Sequence, residues 1–510
     1  MLFNSYIFLL AFLPITLLGY FVLGYLGWIR EAAVWVTLAS FFFYGWWNPA
    51  YLPLLFLSII GNYWIGVGIN LARHGRVGGS PKALLTLGVV LNLSALGYYK
   101  YANFFVENCR HFLGVGWDIG PILLPLAISF FTFTQIAYLV DAYHGVTEEY
   151  DFLWYAFFVS FFPHLIAGPI VAYRRLMPQF ARRETYRFNS ENLSLGLSMF
   201  AMGLAKKVII ADNLAPLSQS IFDNDTFVPG FCGVWIGTLG YTFQLYFDFS
   251  AYSDMAIGLA RMFNVQFPLN FNSPYKALDI SDFWRRWHMT LSHFLRDSLY
   301  IPLGGNRDGE LMRYRNLMIT MLLGGMWHGA GWTFLVWGGL HGTYLIINHA
   351  WQRVAKNLAW AQTPVAVGAG WLLTFLAVVT GWVFFRAHSF TQAFTYLHSM
   401  VGVHGVGIPL SLQSVLGKVG LHSPALYQAM PGTSYTLPMV YLIGAAAIAF
   451  FAPNTDEIFR AAERYTDQKK SIVGGRLWQP TAAWAMCTAV ILALCILNLS
   501  SFSEFLYFKF

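Results

Sequence analysis

Apolar runs of up to about 20 residues follow one another along the whole chain, joined by short polar links. Hydrocarbon offers the backbone no hydrogen-bonding partner, so such a run is stable in a bilayer as a helix that satisfies its own N–H and C=O groups, and ~20 residues make one crossing. The segments that fit or approach this are Tyr6–Leu26, Ala32–Tyr44, Tyr51–Ala72, Ala83–Tyr101, Pro121–Tyr143, Leu193–Asn213, Phe231–Phe249, Arg315–Gly325, Thr333–His349, Val365–Phe385, Tyr435–Phe451 and Thr481–Leu499. Charged residues make up 11% of the 510, against about 25% in an average soluble domain. That is too few to clothe a soluble surface, and the 18% aromatic content suits belts at the two membrane interfaces. An all-α polytopic membrane protein is expected.

Ala32–Tyr44 and Arg315–Gly325 are short for a crossing, as is Phe152–Ile166. These three are expected to be broken or re-entrant elements, which are tolerated at membrane depth only where they line a protein cavity. The first apolar stretch lacks a basic region before it and continues to Leu26, so it reads as a retained span rather than a cleaved signal. The excess of 31 Lys+Arg over 24 Asp+Glu is gathered in links: Arg73, Arg76 and Lys82; Arg174, Arg175, Arg182, Arg183 and Arg187; Lys276 to Arg315; and Arg460, Arg464, Lys469, Lys470 and Arg476. The positive-inside rule puts all four in the cytoplasm and accounts for the charge without nucleic acid. Val401–Thr433, with Lys418 its one charge, then faces outward, and so do the residues after the last span. Cys109, Cys232, Cys487 and Cys495 have no zinc or disulfide spacing, and no metal is expected. No internal repeat is visible, so residues 1–510 are expected to form a single membrane domain.

Polar residues inside apolar sequence are the candidate chemistry. Asp248 and Asp254 stand at the end of a span, where they either line a cavity or pair with a nearby Arg to lock helices together. Asp279 or Ser281 can cap a helix whose apolar stripe carries Trp284, Trp287, His288, Leu291, Phe294 and Leu295, with Arg285 and Arg286 off the stripe, toward water or headgroups. His288 on that stripe is either a satisfied core histidine or a chemical group. His328 lies in Leu322-Leu-Gly-Gly-Met-Trp-His-Gly-Ala-Gly-Trp332, an apolar run whose glycines on both sides let a substrate or another backbone come close. A buried imidazole there suits a general base, the plainer alternative being a hydrogen bond to a neighbouring helix. No G-x-S-x-G, H-E-x-x-H, Walker A or G-x-G-x-x-G motif occurs, so the chemistry must run on a base and positioned donors.

Asp282-Phe-Trp-Arg-Arg-Trp-His288, Tyr300-Ile-Pro-Leu-Gly-Gly-Asn-Arg307 and Met326–Trp332 closely resemble the membrane-bound O-acyltransferase family. Lys100-Tyr-Ala-Asn-Phe104, Phe162-Pro-His-Leu-Ile-Ala-Gly-Pro169 and Leu245-Tyr-Phe-Asp-Phe-Ser250 are similar to its bacterial, polysaccharide-acetylating branch, and the resemblance spans practically the whole chain. It implies a ring of roughly 11–12 transmembrane helices around opposed cytoplasmic and periplasmic funnels, with residues 276–350 as the histidine-bearing core. It implies catalytic roles for His328 and His288, acetyl-CoA as acyl donor, and delivery of acetyl to alginate or a similar exopolysaccharide through a periplasmic acetyltransferase partner. Peptidoglycan is the alternative acceptor, and teichoic acid D-alanylation is less favoured. Bacterial inner-membrane localisation follows. Arg285 and Arg286 can hold coenzyme A phosphates, since guanidinium groups pair bidentately with phosphate. The aromatic tail at residues 502–510 is similar to the ending of the small partner in the D-alanyl system, which makes Tyr507 a candidate acyl relay; an interfacial anchor is the rival. From another class, a transporter using buried His and Asp would share the polar spans.

Overall fold

The computed structural model describes residues 1–147, 151–224, 226–420, 423–429, 436–460, 477–499 and 505–506. Helices dominate. In chain order the principal ones are α1 (Phe8–Tyr25), α2 (Ile29–Gly45), α3 (Pro49–Arg73), α4 (Pro81–Leu113), α5 (Ile128–Tyr143), α6 (Phe152–Ser160), α7 (Phe162–Leu165), α8 (Ser190–Phe222) and α9 (Phe231–Met262). They continue with α10 (Ile280–Arg286), α11 (Met289–Leu295), α12 (Glu310–His328), α13 (Trp332–Ala355), α14 (Pro364–Arg386), α15 (Thr436–Phe451) and α16 (Ala482–Leu497). Among the described residues the one strand pairing is parallel and short, Ile408–Pro409 with Tyr427–Gln428. The protein is all-α, and α1, α3, α4, α8 and α14 are each long and apolar enough to cross a membrane; α15 and α16 are apolar but shorter. Other expected spans fold as helices that are shorter, such as α2, or richer in polar groups, such as α9 and α13.

Local chemistry explains where elements depart from the apolar pattern. Pro121–Tyr143 is helical only from Ile128, because Pro121 and Pro125 lack an N–H and hold their predecessors out of the helical region; Ala127, at φ 65°, turns the chain into α5. Two expected breaks are absent: Ala32–Tyr44 lies inside the unbroken 17-residue α2, and Arg315–Gly325 lies inside the unbroken 19-residue α12, whose first turns are polar. Both helices begin beyond the apolar run, so hydropathy alone understated their length. Phe152–Ile166 does break, at Phe161, where the backbone leaves the helical region and the Phe162 N–H donates to Ser40 Oγ at 3.1 Å.

The chain divides into two compact units interleaved in sequence. One takes Met1–Leu204, Tyr252–Leu269 and the described residues from Thr455 onward; the other takes Ala205–Ala251 and Asn270–Asn454. In the first, α1 packs on α2 and α3 on α4 and α5, and Phe8, Phe12, Phe43 and Phe162 form a core with every pair of ring centroids within 6.1 Å. In the second, α12 packs along α13 and α13 along α14. Its core is Trp337, Trp382 and Phe385, with centroids 5.2–5.8 Å apart. All of the histidines discussed below belong to this second unit.

Candidate active site

His328 is the last residue of α12, because Gly329 takes extended backbone at φ −161° and ψ 151°. The glycines before it serve helix contact. A Cβ on Gly325 would lie 2.4 Å from the Phe334 carbonyl oxygen, and one on Gly338 of α13 2.3 Å from that of Met321, so the two backbones meet where side chains are missing. Of the two uses the sequence allows for these glycines, close approach of another backbone is therefore the one observed. Beyond the helix end, a Cβ on Gly329 would strike the Phe334 ring at 2.2 Å. The His328 imidazole is 5% exposed, with ring centroids 4.9 Å from Trp327, 5.0 Å from Trp337 and 5.2 Å from Phe385. Aromatic walls of this kind exclude bulk water from a group that can accept and return a proton.

His288 is placed differently from expectation. The single amphipathic helix anticipated after Asp279 is two short ones, α10 and α11, broken at Trp287 and His288. Asp279 does cap the first, accepting from the Asp282 N–H at 2.8 Å. The break is stabilised from outside the segment: Asn270 Oδ1 accepts from the Thr290 N–H at 3.3 Å and from Thr290 Oγ1 at 2.9 Å, and the Asn270 carbonyl accepts from the Met289 N–H at 2.9 Å. Asn270 thereby does for α11 what an N-cap side chain does, and His288 sits in the left-handed region at φ 42°. The apolar members Trp287, Leu291 and Leu295 are still buried, and His288 is fully so.

The same asparagine sets the tautomer of His288. Oδ1 lies 3.1 Å from His288 Nδ1, and because it already accepts from a backbone N–H it is the carbonyl oxygen; Nδ1 must then carry the hydrogen and Nε2 the lone pair. Burial pulls the imidazole, outside the five crossing helices, down to about 3, so it is neutral near pH 7. Its ring stands edge-on to Phe249 at 4.8 Å and lies 6.1 Å from Trp327, the indole that also touches His328. The two histidines are therefore brought to one tryptophan.

The two carboxylates are each engaged by a side-chain donor. Asp248 accepts from Lys207 Nζ at 2.8 Å, and Lys207 also pairs with Asp212 at 2.8 Å; Lys207 and Asp248 are each 2% exposed. The partner is a lysine rather than the arginine anticipated, on a π-helical turn of α8, Lys206–Ala211, and it sits in an apolar stretch where only its charge could have drawn notice. Asp254 belongs to the first unit and accepts from Thr455 Oγ1 at 2.6 Å. Arg286 is held by Asp282, its Nε 3.0 Å from both carboxylate oxygens, whereas Arg285 is exposed. Tyr507 lies outside the described residues. Phe505, in the same tail, is buried edge-on against Tyr252 at 4.9 Å within the first unit, so this member of the tail is a core residue and not an interfacial one.

His341 and Trp337, one turn apart on α13, were not singled out from the sequence. The signal existed: Trp337-Gly-Gly-Leu-His-Gly342 has the same glycine-flanked histidine in an apolar run as His328. His341 is fully buried, receives a hydrogen bond from Trp284 Nε1 on Nδ1 at 3.3 Å, and packs 4.8 Å from Trp337. No group of three or more His, Cys, Asp or Glu among the described residues is arranged to hold a metal.

Comparison with known proteins agrees with the motifs. The sequence pattern of the membrane-bound O-acyltransferase family matches residues 142–387, which contain Lys207, Asp248, His288, His328 and His341. The chain is 41% identical over 537 residues to the peptidoglycan O-acetyltransferase of Helicobacter pylori, covering 100% of this chain and 98% of that protein. It is 40% identical over 533 residues to the probable alginate O-acetylase AlgI of Azotobacter vinelandii, covering 100% of both. A teichoic acid D-alanyltransferase of Streptococcus thermophilus is 28% identical over 245 residues, 46% of this chain and 59% of that protein. With crossing helices, buried histidines at the quoted motifs and full-length relatives, the chain belongs to the membrane-bound O-acyltransferase family and is a multi-pass membrane O-acyltransferase.

Proposed function

We propose that this protein takes acetyl from acetyl-CoA at the cytoplasmic face of a bacterial inner membrane and passes it on for O-acetylation of a secreted polysaccharide, with His328 as general base. The observation that carries the reading is the meeting of His328 and His288 on Trp327, inside an aromatic enclosure at the end of α12. In the step, an acceptor hydroxyl gives its proton to His328 as its oxygen attacks the thioester carbon. The C–S bond then breaks, and the imidazolium returns the proton to the departing thiolate. His288, neutral and with its lone pair on Nε2, orients the hydroxyl or shares its proton. Arg285, exposed beside this core, is the better placed of the two arginines to meet a coenzyme A phosphate, because Arg286 is engaged by Asp282.

Relatives named for alginate and for peptidoglycan acetylation are about equally similar, at 40% and 41% identity, which supports polysaccharide O-acetylation; we take an exopolysaccharide of the alginate kind as the acceptor, with peptidoglycan as the second reading. A periplasmic acetyltransferase completes delivery, and Tyr507, outside at the carboxyl-terminal tail, is the candidate relay between them. In this reading residues 1–510 act as a single membrane domain. The test is turnover of radiolabelled acetyl-CoA by protein reconstituted in lipid. His328→Ala is expected to lower thioester cleavage by about 10² to 10⁴-fold with unchanged expression. Polymer acetylation at the wild-type level in cells with well-expressed His328→Ala protein would remove the assignment.

A further inference from the structure

Two buried N–H donors near His328 have no use in the scheme above. Trp337 Nε1 and His341 Nε2 are both fully enclosed, and among the described residues neither has a hydrogen-bond partner. A buried donor left unpaired costs roughly 1–3 kcal/mol, so two in one place call for an acceptor. The state of His341 is fixed by its other nitrogen. Trp284 Nε1 can only donate, so Nδ1 of His341 must accept, and the neutral ring carries its hydrogen on Nε2.

Both donors converge on Gly381 of α14. A Cβ built on that glycine would lie 3.1 Å from His341 Nε2 and 3.5 Å from Trp337 Nε1, so only the absence of a side chain lets both nitrogens sit this close to the backbone of α14. Both nitrogens flank the same backbone position, which brings the two unpaired donors together beside one face of α14. This face is also the face of the reaction. Phe385 is one helical turn beyond Gly381, on the same side of α14, and its ring is 5.2 Å from that of His328; the Trp337 ring stands edge-on to His328 at 5.0 Å.

We propose that Trp337 Nε1 and His341 Nε2 form an oxyanion pocket on the bare face of Gly381 that receives the carbonyl oxygen of the acetyl thioester; this rests on the acetyl-transfer reading. When the acceptor oxygen bonds to the carbonyl carbon, the carbon–oxygen π pair moves onto that oxygen and the two donors stabilise it. When the C–S bond breaks, the pair returns to re-form the carbonyl and the sulfur leaves with its own bonding pair. Water expelled by the surrounding indoles would otherwise have solvated this charge.

The test uses three substitutions in the reconstituted full-length protein. Trp337→Phe removes one N–H and keeps most of the aromatic bulk, His341→Leu removes the other, and Gly381→Ala places a methyl in the pocket. Each is expected to lower kcat about 10² to 10³-fold with KM for acetyl-CoA changed no more than about threefold, and His341→Gln, which keeps an N–H at similar reach, to recover at least tenfold over His341→Leu. A second readout does not depend on turnover or on the base. With ¹³C-carbonyl acetyl-CoA bound to His328→Ala protein, the carbonyl infrared band is expected at lower frequency than for bound donor in the His328→Ala, Trp337→Phe double variant. A shared band position with kcat retained in the single variants would overturn the pocket, leaving the glycine a packing residue and the donors water-bound. Loss of kcat equalled by a rise in KM would overturn it too, since that marks uniform binding. If His328→Ala keeps full turnover while the pocket variants lose it, the base assignment fails and the pocket stands.

Discussion

At the scale of single residues, His288 shows how a site is held against local preference. A non-glycine residue in the left-handed region costs about 1–3 kcal/mol and persists only where surroundings over-determine it; here the Asn270 side chain supplies three contacts around the turn and its carbonyl a fourth. Asn270→Leu is expected to reduce both melting temperature and turnover, with Asn270→Asp, which keeps the acceptor oxygen, less affected. Burial lowers the His288 pKa from 6.5 to about 3, so the unfolded chain binds the proton first as pH falls. Stability from this group is complete above about pH 6.5 and is lost progressively toward pH 3. Melting curves from pH 7 to pH 4 should fall more steeply for the wild type than for His288→Gln; parallel curves would mean that His288 is not desolvated. Lys207 makes a second residue-scale case. Lys207→Met leaves the Asp248 carboxylate buried without its cation and should cost about 3–5 kcal/mol, while Lys207→Met with Asp248→Leu should recover most of it in thermal unfolding.

At the scale of elements, the register of α12 on α13 decides where His328 lies. The contact has almost no tolerance, because the atoms opposite Gly325 and Gly338 are backbone carbonyls that cannot swing aside. Gly325→Ala and Gly338→Ala are therefore expected to depress folded yield and turnover together. Gly339→Ala serves as the control, since its new Cβ would meet only the tip of Leu322, at 3.5 Å, and should be near neutral. Equal behaviour of the three in detergent-extraction and melting assays would show that the close approach is not what positions the histidine. The split of the Asp279-capped segment into α10 and α11 belongs to the same scale: its apolar spacing was legible in the sequence, but the break at Trp287 and His288 was not, because the groups that stabilise it come from Asn270.

At the scale of the whole molecule, charge placement relates the chain to the two sides of the membrane. The Lys276–Arg315 link is cytoplasmic and Val401–Thr433 external if the positive-inside rule holds here. Single cysteines at exposed positions test this in a background with Cys109, Cys232, Cys487 and Cys495 replaced by serine. A membrane-impermeant maleimide added to spheroplasts should label Val419→Cys, 74% exposed, and spare Arg285→Cys until the membrane is opened. The reverse pattern would invert the proposed direction of acetyl flow. In the same cells Tyr507→Phe, which deletes only a hydroxyl, should abolish polymer acetylation if the tail carries acetyl and leave it intact otherwise.

Sequence alone was enough for the all-helical membrane class, the approximate positions of most helices and the two histidine motifs. These depend on composition and spacing within a few tens of residues, where a lipid solvent imposes one rule on every backbone. Tertiary structure alone decided the remainder. The partner of Asp248 is a lysine 41 residues earlier, the cap of α11 is an asparagine 20 residues before Thr290, and His341 gains its meaning from Trp284, 57 residues away. Pairing of buried polar groups is set by which side chains the packed helices bring within about 3 Å, and no local pattern encodes that distance.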